Sequence, residues 1–534
     1  MVNLEILFGV LPALILFLYG IEHFSDEIKN LAGDKFRELI GKLTKNPVRG
    51  VFLGAFVTSI IQSSTATTVI TVSLVNSGII SFTNSLGIIF GSNIGTTITA
   101  QLIALKLTSF APVFIVIGFL ITFFSKKHKI IGKPFFYFGL VFYALALVSA
   151  AVEPIKSDPA MIELFSNLSN IPLAVIVGFV FTSVVQSSSV TTGLIIVLTQ
   201  NGLIDLRAGI PLLLGANIGT STTAVLASLG LNLYARRAGI ANLMFNIVGS
   251  LLLIPFIDIF IYFIKNLGGT PASQMANAHM IFNIITAIIF LFLIKQFTKL
   301  INKMVPGEED EILFETKYLT ENLPENNAEA LKLIKAELKY SIDITILLYK
   351  QTVNMFKRPK KAGFAKLEKL ESLNDYLDEK IEKAILTVSH RKLSKNEAKK
   401  TVILVQISNA IEQLGDLGED LGKISFEMFE SGKDMSYESI EAVDTINKKF
   451  KATLLILKEN LPYVAKKMHN KIKGSEEEIL NLINKKYEEH IERLQEENDY
   501  KGGTFVESIS IIESSVSKMR EIRKLCEKFT KLKT

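Results

Sequence analysis

The sequence predicts an all-α polytopic membrane protein with inverted repeats and two re-entrant helical hairpins, followed by a cytoplasmic helical-bundle domain. Three observations predict it. Charge is partitioned: residues 1–305 hold 30 of the 110 charged residues, and 306–534 hold the other 80. Two stretches, between Arg49 and Lys106 and between Glu163 and Asp205, carry no Asp, Glu, Lys or Arg. Finally, a shift of 124 residues lays Val51–Ala100 on Val175–Ala224 without a gap, with 19 of 50 positions identical. Those identities include the polar and small residues, where chance likeness between apolar helices would favour Leu, Ile and Val, so the shift marks a true duplication.

The elements follow in chain order. Residues 4–21 form an apolar run with Glu5 as its one charge, read as a retained span rather than a signal peptide. Stretches 50–77 and 174–201 each carry a polar cluster at mid-length, so each half is too short to cross and the pair reads as a hairpin with a polar tip. The remaining apolar runs, 84–105, 109–125, 133–151, 208–229, 237–257 and 274–294, bring the crossings to seven. Each repeat, about 4–125 and about 133–257, then contains three crossings, and this odd number inverts the second copy relative to the first.

Flanking charge orients the layout. With the N-terminus outside, inner segments carry Lys29, Lys35, Arg37, Lys42, Lys45, Arg49, Lys126, Lys127, Lys129, Lys133, Arg236, Arg237, Lys295, Lys299 and Lys303. Outer segments carry Lys106, Lys156, Arg207 and Lys265, and the outer 152–171 loop adds Glu153, Asp158 and Glu163. Such a bias places the C-terminal domain in the cytoplasm, and the protein is expected in the plasma (inner) membrane. The net charge of +6 is the sum of +8 over 1–305 and −2 over 306–534, a membrane-flank effect that implies no nucleic-acid partner. The single cysteine, Cys526, excludes a disulfide scaffold and a Cys-based zinc site.

Inverted repeats with interrupted helices are the architecture of secondary transporters, which bind substrate where the copies meet near the bilayer midplane. The candidate tips are Gln62, Ser63, Ser64 and Thr65, and Gln186, Ser187, Ser188 and Ser189. Behind them lie Gly91–Thr97 and Gly215–Ser221, with Asn93 and Asn217, whose glycines are expected to loosen the helix and expose backbone. Backbone N–H groups at a half-helix start attract an anion. Neither uncharged stretch offers an Arg or Lys to neutralise an anion, nor an Asp, Glu or His to relay protons. Burying a multivalent anion uncompensated is costly, so the missing charge must arrive as co-bound cations, and neutral hard oxygens suit Na⁺. Candidate sodium ligands are Thr67, Thr68, Thr96 and Thr97, with Thr191, Thr192, Thr220 and Ser221.

Isolated Ser and Thr in membrane helices usually serve packing. Glutamine and asparagine doubled at a constant offset are expensive in lipid without a task. His279 and Asp258 read as interfacial anchors near the outer ends of spans.

The doubled Gln-Ser-Ser motifs, Gln62–Thr68 and Gln186–Thr192, with Gly91–Thr97 and Gly215–Ser221 behind them, resemble the type II sodium–phosphate cotransporter family over most of residues 1–300. The resemblance implies sodium-coupled import of inorganic phosphate by alternating access, with the two hairpins lining the site. Phosphate, sodium ions and the bilayer are then the partners, and a homo-oligomer is compatible with the reading. A carrier or exporter of another oxyanion (sulfate, arsenate) shares the same physical argument. A serine-dependent membrane enzyme lacks an activating partner for Ser63 or Ser187 in either uncharged stretch, so no enzyme is expected.

Residues 305–326 read as an acidic, Pro-containing linker. Six helical segments follow within 327–534, near 328–357, 363–390, 395–430, 437–461, 474–498 and 504–531, with Pro359, Gly432, Pro462, Gly474, Gly502 and Gly503 as breakers. They make two three-helix bundles or one longer array. Glu371/Asp375 and Glu412/Asp416 are acids at i, i+4, hence on one helix face, able to hold a divalent or iron ion if they oppose each other. This pattern is similar to a PhoU-type regulatory domain, which implies metal-binding acids there.

Overall fold

The structure, a computed structural model, describes residues 4–44, 46–105, 107–124, 129–153, 159–307, 311–320, 322–432, 435–496 and 503–532. Lys45, Lys106, Lys126, Lys127, Lys156, Asp158, Gly502 and linker residues 308–310 and 321 lie outside them. The described residues are helical, with no strand among them. The chain forms two compact units, Met1–Glu311 and Ile312–Thr534.

The first unit opens with α1 (Leu4–Leu43) and a hairpin of α2 (Pro47–Ile61) and α3 (Ser64–Asn76). Next come α4 (Phe82–Ala104), α5 (Ala111–Phe124), α6 (Lys129–Val152) and the short α7 (Pro159–Asn167). A second hairpin, α8 (Ile171–Val185) and α9 (Ser188–Gln200), leads into α10 (Leu206–Ser228) and α11 (Leu233–Leu253). The unit ends with α12 (Ile257–Asn266), α13 (Pro271–Phe292) and α14 (Ile294–Met304).

Six stretches among the described residues are long and apolar enough to cross a membrane: Phe82–Ala104, Leu107–Phe124, Ile131–Val152, Leu206–Ser228, Leu233–Asn266 and Pro271–Phe292. Each coincides with an expected crossing. The seventh, 4–21, is the N-terminal half of α1, which continues unbroken through the charged residues 22–43. There Glu27 pairs with Lys133 of α6 at 2.6 Å, fastening two segments that the charge count puts on one side. Arg207 and Asp258, both assigned to the other side, pair at 2.7 Å.

The hairpin arms have 15 and 13 residues in both copies, about 20 Å each at 1.5 Å per residue, well short of a hydrocarbon core. Asn46 and Asn170 cap the first arms, each accepting a backbone N–H three residues on, and a proline stands in the first turn of both.

The second unit holds α15 (Asn327–Lys357), α16 (Lys361–Ser389), α17 (Lys395–Ser431), α18 (Tyr437–Glu459), α19 (Lys466–Glu496) and α20 (Gly503–Lys531). Helices α15–α17 pack mutually, as do α18–α20, and α17 on α20 with α15 on α18 joins the two bundles. One continuous apolar core runs through all six. Buried Tyr349 stitches the join, its hydroxyl donating to Leu414 O at 3.1 Å and lying 2.6 Å from Ser515 Oγ. Gly474 is no breaker: it lies inside α19, which begins earlier than expected, at Lys466.

The segment read as a linker divides between the units. Arg237 donates to Val305 O (3.1 Å) and Gly307 O (3.3 Å), holding this part to the first unit. Farther on, the backbone N–H groups of Lys317, Tyr318 and Leu319 all donate to the buried carboxylate of Glu337, which ties this part to α15.

Candidate functional site

Both hairpins turn on a glutamine. Gln62 (φ 58°) and Gln186 (φ 60°) are the non-glycine residues with positive φ among those described. A left-handed residue at a helix C-terminus is usually glycine, since other residues pay about 1 kcal/mol there. The side chains account for the choice. The Gln62 amide donates to Ser59 O in the last turn of α2, and its Oε1 accepts from Thr99 Oγ1 of α4 at 2.6 Å. Gln186 repeats this, donating to Ser183 O at 2.8 Å and accepting from Thr223 of α10. Each glutamine thus covers an orphan carbonyl of the first arm and ties the tip to the helix behind it. Thr99 and Thr223 were not singled out from sequence, although they are an identical pair at the 124-residue offset.

Ser63 and Ser187 follow as N-caps of α3 and α9, so the starts of both second arms lie at the tips. The copies differ here. Ser63 Oγ accepts from Ala66 N at 3.2 Å, whereas Ser187 makes no such bond, so the first turn of α9 has fewer committed donors. Ser63, Ser64 and Thr65 are half-buried and Gln186 exposed, while Ser188 and Ser189 are buried. Within each hairpin a threonine pair clamps the arms: Thr58 to Thr67 at 2.9 Å and Thr182 to Thr191 at 2.7 Å.

The glycines behind the tips do not loosen their helices, a correction to the sequence reading. Helices α4 and α10 run unbroken through Gly91–Thr97 and Gly215–Ser221. The glycines instead form a seam. A Cβ on Gly91 would lie 2.0 Å from Val51 O, and one on Gly215 2.1 Å from Val175 O. Backbone therefore meets backbone, and the tips are held at a fixed height against α4 and α10.

The second arms bring the copies together: α3 packs on α4, α10 and α11, and α9 on α10, α4 and α13. The candidate sodium hydroxyls lie on these four central helices. Thr96 donates to Ser92 O, Thr97 to Ile94 O, Thr220 to Ala216 O and Ser221 to Asn217 O, at 2.7–3.0 Å. Thr67 and Thr191 donate to Ser63 O and Ser187 O, at 3.2 and 3.3 Å. A hydroxyl whose proton is committed to its own helix presents lone pairs elsewhere, as a cation ligand must. Thr68 lies 3.5 Å from Ser92, and Thr192 Oγ1 is buried without a partner.

Asn93 and Asn217 join a wider amide network missed from sequence. Asn93 bonds to Asn242 (3.3 Å) and Asn246 (3.2 Å) of α11, and Asn246 also donates to Ser221 of α10 at 2.7 Å. His279 is no interfacial anchor. It sits eight residues into α13, about 12 Å along it, fully buried with Nε2 3.0 Å from Asn217 Oδ1. Hydropathy could not reveal this, because a polar residue inside a span acquires a partner only through tertiary packing. Asp258, by contrast, is exposed and paired with Arg207.

In the second unit, α16 and α17 place one carboxylate oxygen each from Glu371, Asp375 and Asp416 within 4.8 Å of one another. Glu412 is not in that trio but senses it. Burial, then Asp416 and Asp375, pushes its carboxyl up to about 7, and burial with Asp375 does the same to Glu371. Burial and Asp375 raise Asp416 as well. Three clustered acid oxygens suit a hard divalent or iron ion. Protons held in the folded state up to about pH 7 are already released by the unfolded chain at that pH. Metal-free protein should therefore lose stability as pH rises from the ordinary carboxylate range towards about 7, then level off. Calorimetry of the full chain in chelator should show that decline, and an added divalent ion should abolish it. A flat profile in chelator would contradict the cluster.

A family model described as Na+/Pi-cotransporter matches residues 16–150 and 156–303. The "Uncharacterized protein YqeW" of Bacillus subtilis is 29% identical over 306 residues, 57% of this chain and 99% of that protein. The "Putative inorganic phosphate export protein YjbB" of Escherichia coli is 22% identical over 499 residues, 92% of this chain and 91% of its own. The mouse "Sodium-dependent phosphate transport protein 2C" is 41% identical over 107 residues, 19% of this chain and 18% of its own. No solved structure matches the chain.

Proposed function

Because this chain belongs to the Na+/Pi-cotransporter family, we propose that it imports inorganic phosphate coupled to sodium, with the paired hairpin tips as its transport site. The observation that carries the reading is the doubled tip. Two helix starts, α3 and α9, are turned inward by Gln62 and Gln186 within stretches that hold no charged side chain. Donors from the helix starts and from Ser63, Ser64, Thr65, Ser187, Ser188 and Ser189 suit phosphate oxygens, and the buried Asn217 Nδ2 has no partner of its own. Sodium ions held by the hydroxyl oxygens of α3, α4, α9 and α10 supply the compensating charge. With equal and opposite charge entering together, the hairpins need no lysine or arginine. The second unit, cytoplasmic by the flanking-charge count, would hold a metal at Glu371, Asp375 and Asp416, with Glu412 beside them, and adjust transport.

A second reading reverses the direction. A relative that matches both units, YjbB of Escherichia coli, bears a phosphate-export name, and the same site would serve efflux under another gradient. Uptake of radiolabelled phosphate into proteoliposomes, with a sodium gradient set in each direction, tests both. Inward sodium should drive accumulation; accumulation that follows a proton gradient and ignores sodium would overturn the coupling. A chain ending at Glu311 should keep basal transport within about twofold, because Arg237 holds Val305 and Gly307, and Phe82 N–H holds Glu311, to the first unit. Loss of transport from that well-folded truncation would make the second unit part of the machinery.

A further inference from the structure

Helix α14 (Ile294–Met304) follows the last apolar crossing directly, with Leu293 ending α13 and opening α14. Three kinds of side chain divide its circumference. Phe297 and Ile301 are buried where α14 packs on α4, α11 and α13. Lys295, Lys299 and Lys303 recur at every fourth residue, so they form one stripe, and all three are exposed. On the flank between that stripe and the buried side, Leu293, Leu300 and Met304 are 47%, 43% and 46% exposed. The helix is held in place at both faces. The Phe297 ring lies 4.7 Å from Phe290 of α13 and 5.9 Å from Phe90 of α4, centroid to centroid. Beyond the C-terminus of α14, Arg237 of α11 donates to Val305 O and Gly307 O.

The lysine stripe lacks counter-charge. No Asp or Glu occurs between Asp258 and Glu308. Neither an ion pair nor a hydrogen bond joins Lys295, Lys299 or Lys303 to another described residue. By contrast Lys29, Lys42 and Lys133, which the charge count puts on the same side, meet Asp26, Glu38 and Glu27. Like charges four residues apart on a helix repel, so the stripe is unfavourable without an anionic partner. The apolar flank needs a cover as well. A free anion would neutralise the lysines and leave Leu293, Leu300 and Met304 in water. Zwitterionic headgroups bring their own ammonium and leave the lysines without net compensation. An apolar flank beside a basic stripe, directly after a span, fits the bilayer boundary, where acyl chains meet the one and anionic headgroups the other.

We propose that α14 is a binding site for anionic phospholipid, with headgroup phosphates on Lys295, Lys299 and Lys303 and acyl chains along Leu293, Leu300 and Met304. The site does not depend on which solute is carried or in which direction. Lipid held there keeps Phe297 seated against Phe90, which adjoins Gly91 on the helix behind the first hairpin tip. Lipid composition thereby bears on the packing of α4.

The test uses the purified full chain in an uncharged detergent, titrated with dioctanoyl phosphatidylglycerol or dioctanoyl phosphatidylcholine while the thermal midpoint is followed. Phosphatidylglycerol should raise the parent's midpoint at concentrations where phosphatidylcholine does not, and added salt should weaken the rise. A Lys295→Gln, Lys299→Gln, Lys303→Gln variant should need about 100-fold more phosphatidylglycerol for the same rise, at about fivefold per lysine near an anionic surface. Arginine at the same three positions should keep the parent's response, as should Lys42→Gln, whose lysine already has an acid partner. A folded glutamine triple that answers to phosphatidylglycerol like its parent overturns the site, and so does a parent that answers equally to both lipids. If inorganic phosphate without lipid gives a rise that the glutamine triple loses, the stripe is a free-anion site and the lipid assignment falls. Should the triple fail to fold, Lys299→Gln alone should need about fivefold more lipid, and an unshifted titration there is equally fatal.

Discussion

A Gln62→Gly, Gln186→Gly double variant should fold normally and lose phosphate transport by about 100-fold or more. Glycine adopts the left-handed turn at both tips without the cost of about 1 kcal/mol that glutamine carries, so the hairpin backbone keeps its course. What disappears is the tie. Ser59 O and Ser183 O lose their donors, and Thr99 and Thr223 lose their acceptor. Part-buried groups left unsatisfied cost about 1–3 kcal/mol each, and the two at the Gln62 tip amount to two decades or so in any step that needs that tip in place. Thr99→Val with Thr223→Val removes only the bond to the helix behind and should show an intermediate loss. The measurement is initial uptake rate beside thermal midpoint and monodispersity. Wild-type uptake from the glycine pair would reduce both glutamines to turn formers and move the transport site elsewhere.

That variant became legible only with the structure, and the reason is physical. The hairpins themselves are readable in one dimension: lipid tolerates a polar cluster amid an uncharged stretch only where the cluster is turned into the protein, and the 124-residue repeat shows the pattern twice. Glutamines at the tips read naturally as groups facing substrate, yet their side chains turn back to close the helix end. Gly91 and Gly215 mislead because glycine in a helix signals weakness unless a neighbouring backbone is known to press on it. The amides Asn242, Asn246 and Asn283 lie beyond the duplicated block, so the 124-residue offset that marks the hairpins does not reach them or His279. Residues 22–43 resemble a charged inner loop, but ionic pairs such as Glu27–Lys133 let the helix continue. In the second unit, Glu337 resembles one more solvated acid on a charged helix. Its burial beneath the backbone of residues 317–319 depends on a strap that composition marks only as linker.

Gly91→Val and Gly215→Val should each abolish a folded, extractable protein, and the corresponding alanine variants should cost about 3 kcal/mol or more. Even the first added carbon would stand 2.0 or 2.1 Å from a backbone carbonyl oxygen, where no side-chain rotation gives relief. The helices would have to part by more than 1 Å or so, and Gly87 and Gly54 face the same obstruction along the α2–α4 seam, at 2.0 Å and 2.3 Å. Gly474→Ala is the control of opposite sign. It lies inside α19 with nothing within 4 Å of an added Cβ, so alanine there should stabilise by about 0.5–1 kcal/mol. Thermal midpoints of the purified variants decide it, and a Gly91→Ala protein as stable as its parent would mean that α2 and α4 stand farther apart than described. The seam also constrains transport. Helices locked backbone to backbone do not slide on each other, so α2 with α4, and α8 with α10, travel as rigid pairs. In the proposed cycle, alternate exposure of the tips then falls to the surfaces where the second arms meet helices of the opposite copy, α3 on α10 and α11 and α9 on α4.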